Sequence, residues 1–150
     1  MMKRLLAAAI LASMPATALA ETVTVQSSGS VAETVDRLKM SIEDAGARVF
    51  SVVDFGGGIR SIGEDIGDIQ LVIFGDPKIG FTALSADPMA ALRLPAKVLV
   101  YKSGDGTEMA YEDPADMLAE TRIPSDAPVL AVMSNTLFDI TKAAAKGTPD

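Results

Sequence analysis

The alternation of apolar and polar positions divides the chain into strands and helices. Val23 and Val25 alternate with Thr22, Thr24 and Gln26, which predicts a half-buried strand over Glu21 to Ser27. Ser30 and Glu33 then stand at capping-box spacing, and Val31, Val35, Leu38 and Ile42 recur at helical intervals up to Gly46. Arg48 to Phe55 returns as a strand. Gly56-Gly57-Gly58 reads as a flexible loop, and Ile59 to Gly67 as either a short helix or an irregular connection. Ile69 to Phe74 is almost wholly apolar, which predicts a central strand covered on both faces and ended by Gly75. Asp76-Pro77 opens a turn or a single helical turn, with Gly80 as its C-cap.

Phe81 to Leu94 reads as a long connection with one helical turn from Asp87-Pro88. Ala96 to Tyr101 and Thr107 to Glu112 are strands joined by a glycine-containing hairpin turn, Ser103 to Gly106. Asp113-Pro114 starts a short helix through Leu118. After the linker Pro124 to Pro128, a final helix from about Val129 to Ala145 carries the stripe Leu130, Met133, Leu137, Ile140 and Ala144. The expected order is β-α-β-β-β-β-α. These elements build an α+β domain, a mostly antiparallel sheet with both long helices on one face.

The N-terminus changes the compartment. Lys3 and Arg4 precede the apolar run Leu5 to Met14, and Ala18-Leu19-Ala20 has the pattern of a signal-peptidase site. Residues 1–20 therefore read as a secretory signal and residues 21–150 as a single domain, periplasmic or secreted, with no membrane anchor after processing. The formal charge is −7 before the signal's two cations are removed, which opposes binding to nucleic acid.

The chain contains neither His nor Cys. That removes Ser-His and Cys nucleophiles and the usual zinc ligand sets; carboxylate-only calcium or magnesium sites stay open although there is no EF-hand pattern, and no cofactor or metal site is assigned. The Met residues of the mature chain are scattered, as core packing would have them rather than a copper site. Three Asp-Pro pairs recur at Asp76, Asp87 and Asp113. They are either carboxylates gathered at a sheet edge or three helix caps. Capping is preferred because it accounts for both residues of each pair.

Several stretches, in this order, resemble the domain-of-unknown-function family numbered 302. They are ETVDRLKMSIEDAG (33–46), VFSVVDF (49–55), LVIFGDPKIGFTAL (71–84), ADPMAALRLPAKVLVY (86–101) and YEDPADML (111–118). The resemblance implies a TATA-binding-protein-like fold, a curved antiparallel sheet with helices on one side. It implies no established activity and no catalytic residues. Many members carry His where this chain has Phe55, and Asn where it has Asp76, so proton transfer through an imidazole is not available here.

The expected function is non-enzymatic binding of a small molecule or a protein partner. The site is placed at the sheet end near Asp54, Phe55, Gly56 to Arg60 and Asp76, where Arg60 offers a fork for a small acid. The Gly56 to Gly58 run is read as a plain loop in preference to an anion cradle. Lys97 stands inside an apolar strand, as a pocket cation, a snorkelling side chain or an edge-strand guard. One alternative is a hydrolase or lyase using the carboxylates Asp54 and Glu64. Another is the subunit of a structural homo-oligomer such as a homodimer.

Overall fold

A computed structural model describes residues 21–147; the signal-peptide expectation lies outside them. Five strands form one fully antiparallel sheet: β1 (Thr22–Ser27), β2 (Arg48–Asp54), β3 (Ile69–Gly75), β4 (Ala96–Ser103) and β5 (Gly106–Glu112), in the order β1-β5-β4-β3-β2. The long helices α1 (Val31–Asp44) and α5 (Pro128–Ala145) pack on one face, as expected. Shorter helices complete the chain: α2 (Phe55–Arg60) and α3 (Pro77–Ala86), with the expected helical turn, a 3₁₀ turn, at Pro88–Leu92 and the expected short helix α4 (Pro114–Met117).

The capping box forms as the spacing requires. Ser30 Oγ accepts from the Glu33 amide at 3.2 Å, and the Glu33 carboxylate accepts from the Ser30 amide at 2.7 Å. The Ser30 amide, followed by the Ser30 hydroxyl at 2.9 Å, donates to the Glu33 carboxylate and holds it below its usual pKa. Val31, Val35, Leu38 and Ile42 of α1 are buried against Val72, Phe74, Val98, Val100 and Met109 of the sheet and Leu137 and Ile140 of α5. Each such side chain contributes roughly 1.5–3 kcal/mol. Arg37 then pins the two ends of the fold together. Its Nε donates to the Ala144 carbonyl at 2.8 Å and its Nη2 to Ser27 Oγ at 3.1 Å.

A second apolar cluster lies beyond the sheet, between α3, the 3₁₀ turn, α4 and α5. It contains Ala83, Ala90, Met117, Leu118, Ile123, Leu130 and Met133. Asp87 fastens it. This buried carboxylate accepts from the Arg122 amide at 2.8 Å, from the Met89 amide at 3.0 Å and from the Arg122 guanidinium at 3.1 Å. Those donors, the Arg122 amide first, draw its pKa from 3.8 to about 2.

Four expectations are corrected. The three-glycine run is not a loop but half of α2, nucleated by Asp54, whose Oδ1 accepts from the Gly57 amide at 2.8 Å. Gly80 does not end a single turn; α3 continues past it to Ala86. β3 is interior but not covered on both faces, since Val72 and Phe74 are buried while Leu71 and Ile73 alternate onto the sheet face opposite the helices. Lys97 guards no edge, because β4 is the middle strand of the five. It snorkels instead, donating from Nζ to the Arg93 carbonyl at 3.0 Å.

Candidate functional site

The three Asp-Pro pairs are caps. Asp76, Asp87 and Asp113 each accept from the amide two residues ahead, at 2.8, 3.0 and 2.8 Å, and Pro follows at the first helical position in each case. Pro fixes φ where an amide donor would be unused, and the carboxylate satisfies an orphan N–H.

The site expected around Asp54 and Asp76 is split. β2 and β3 pair antiparallel, with Asp54 opposite Gln70 and Arg48 opposite Gly75. Asp54 and Asp76 therefore stand at opposite ends of the hairpin, with roughly 20 Å of strand between them. Asp54, Phe55, Gly56 and Arg60 do stay together, at the α2 end. There Arg60 Nη1 is paired with Asp68 Oδ1 at 3.1 Å, in the open. Gly56 is buried against the following loop, and a Cβ on it would lie 2.5 Å from the Gly67 carbonyl oxygen. Glu64 is exposed on the same connection. Lys97 lies on the open sheet face beside Leu71 and Leu99, where a shallow pocket of about 230 Å³ forms.

The Asp76 end opens instead on a much larger cavity, of about 480 Å³. It lies where the two apolar clusters fail to meet. Phe74 and Leu137 contribute from the main core, and Ile79, Leu94 and Met133 from the second. Three local features keep it open. The β2–β3 register slips between Val49 and Ser51, leaving Phe50 without a partner on β3. Such a bulge re-aims a side chain, and the Phe50 ring, 57% exposed, stands at the cavity. Gly75 admits that ring: a Cβ there would meet Phe50 Cε2 at 3.1 Å. Gly80 faces the cavity from within α3, and a Cβ on it would touch nothing within 4 Å.

The lining is almost entirely hydrocarbon. Among the described residues, Asp76 is its only ionisable side chain and Thr136 its only other polar one. No cluster of metal-ligating side chains occurs among the described residues, and no helix among them is long and apolar enough to cross a membrane.

A polar ladder crosses the open face of the sheet at its other end. Glu108 accepts from the Tyr101 hydroxyl and from the Gln26 amide, and from Ser103 Oγ at 3.0 Å. These bonds, Tyr101's first, lower the Glu108 pKa, and the same bond followed by burial raises that of Tyr101.

Of the sequence-derived candidates, only Asp76 lines the cavity. Phe50, Gly80, Leu84, Met133 and Thr136 were missed. Gly80 was the available signal, since a glycine inside an otherwise helical stretch marks a place where a side chain is unwanted.

Comparison with known proteins agrees with this architecture. A crystal structure of an uncharacterized conserved protein DUF302 from Bacillus stearothermophilus superposes with a TM-score of 0.76 at 18% identity, over 83% of this chain and 98% of that one, a likeness of fold. Curated relatives include Fluoride-specific ion channel FluC 1 of Brucella suis biovar 1 (strain 1330) and FluC 2 of Brucella melitensis biotype 1. Both are 34% identical over 127 residues, 82% of this chain but 49% and 46% of theirs. The chain thus spans about half the length of the curated relatives it matches. The profile of the domain of unknown function DUF302 matches residues 23–144, and the chain belongs to that family.

Proposed function

We propose that this DUF302 domain is exported and binds a small, mainly apolar molecule in the cavity at the Asp76 end of the sheet, without transforming it. The carrying observation is the cavity itself: about 480 Å³, lined by hydrocarbon from both apolar clusters, with an aromatic ring bulged out at it. Binding sites for small molecules are concave, largely apolar and of this size, with few polar groups to set orientation. Water held there would find only two polar side chains to bond. A formed cavity favours a small molecule over a protein partner or a second copy of the chain. The hydrolase or lyase alternative has less support, because Asp54 is engaged as a helix cap and neither it nor Glu64 lines the cavity. The channel activity in the Brucella relatives' name is said of proteins of which this chain spans about half, and it is not carried over.

Gly80→Leu tests the binding reading. Its side chain enters open space, and replacing a mid-helix glycine favours the helix by about 0.5–1 kcal/mol. The parent should bind an uncharged solvatochromic dye such as Nile red with a blue-shifted emission, and the variant should lose that signal while melting no lower. Equal dye response in both would reject the cavity as the site. Export is tested by intact-mass measurement of periplasmic protein: a chain starting at Glu21 is expected, and one retaining residues 1–20 would refute it.

A further inference from the structure

The two polar side chains that line the cavity both offer acceptors, although the first turn of α3, which Asp76 caps, also borders it. Asp76 is acceptor-only when ionised. Its Oδ1 is engaged by the Lys78 amide at 2.8 Å, and Oδ2 has no hydrogen-bond partner among the described residues. Thr136 Oγ1 commits its proton to the Val132 carbonyl at 2.8 Å, so only its lone pairs remain to offer. Ala45 and Ala47 bring the C-terminal end of α1 to the cavity wall. That end carries the negative pole of the helix, and cations stabilise it. Yet the last turn of α1 has no basic residue and ends in Glu43-Asp44. Arg48 and Lys78 lie near Asp76 by register and sequence, but both are exposed and neither lines the cavity. The Phe50 ring adds an aromatic face, which attracts a cation.

We propose that the ligand is an organic ammonium, an aliphatic or aromatic body carrying a protonated amine that seats against Asp76. This rests on the cavity being the binding site. The apolar body fills the hydrocarbon wall, while the ammonium donates to Asp76 Oδ2 and Thr136 and lies toward the end of α1, whose last turn has no basic residue. A carboxylate ligand meets the like charge of Asp76 and no cationic side chain in the lining, and binds less tightly. The small acid suggested by Arg60 thus has its fork at the wrong end of the hairpin.

Three probes with one body separate the claims: phenylbutylamine, phenylbutanol and phenylbutyrate, titrated by calorimetry into the mature chain at neutral pH. The amine should bind at least about tenfold more tightly than the acid, since a charge-assisted hydrogen bond is the stronger kind. Asp76→Asn keeps a good N-cap and should weaken the amine far more than the alcohol, bringing their affinities together. If the acid binds as well as the amine, or the amine ignores Asp76→Asn, the ammonium assignment is overturned. In that case loss of all binding in Gly80→Leu still upholds the cavity. If no probe binds, or binding survives Gly80→Leu, both readings fall.

Discussion

Strands β2 and β3 each run into a helix capped by an aspartate, yet the two junctions have opposite surroundings. At the Asp54 end, the glycines of α2 bring backbone against backbone, with Gly56 against the Gly67 carbonyl. Its apolar side chains Phe55, Ile62 and Ile66 are exposed, and none of them lines the cavity. At the Asp76 end, Gly75 and Gly80 leave room, and apolar side chains from two clusters surround it. Glycine can close a gap or keep one open, and the neighbours of its missing Cβ decide which. The first junction is therefore a structural closure, and the second borders the cavity proposed to take a ligand.

The largest expected effect breaks the first junction. Gly56→Ala drives a methyl into the Gly67 carbonyl and should cost about 1–3 kcal/mol, the usual penalty of overpacking. Urea melts measure it, and dye binding at the other end should survive below the melting range. Next come the caps. Asp54→Ala and Asp76→Ala should each cost about 1 kcal/mol, but only Asp76→Ala should also weaken amine binding. Equal effects of the two on binding would erase the distinction between the junctions. Gly58→Ala works the other way. A Cβ at Gly58 meets nothing within 4 Å, so this change should stabilise α2 by about 0.5–1 kcal/mol.

The last prediction is read in acid. Asp87, near the cavity side of the molecule, has its folded pKa lowered from 3.8 to about 2. The unfolded chain binds its proton first. Its contribution to stability is thus complete above about pH 4 and is lost as pH falls through about 2. Asp87→Asn should flatten that acid limb of the stability curve, and an unchanged limb would assign acid sensitivity to other carboxylates.

Much of this fold was legible because local rules and burial agree. The α1 stripe and capping box, the β1 alternation and the Asp-Pro caps are each written within a few residues, and each forms as read. The site was not legible in the same way. Its cavity depends on a one-residue slip at Phe50 and on two apolar clusters that stop short of each other, both products of long-range packing. The reading also set two strand ends side by side without knowing their pairing, and antiparallel pairing separates Asp54 from Asp76. The three-glycine run misled for a different reason. Low helix propensity at Gly56 to Gly58 is overridden by the Asp54 cap and by a close approach only glycine permits.

The central claim is that the Asp76 end holds a small molecule and the Asp54 end does not. Its most direct test is native mass spectrometry of the parent, Gly80→Leu and Gly58→Ala chains, each incubated with phenylbutylamine. A single adduct on the parent and on Gly58→Ala, absent from Gly80→Leu, is the predicted result. An adduct retained by Gly80→Leu, or lost in Gly58→Ala, would contradict it.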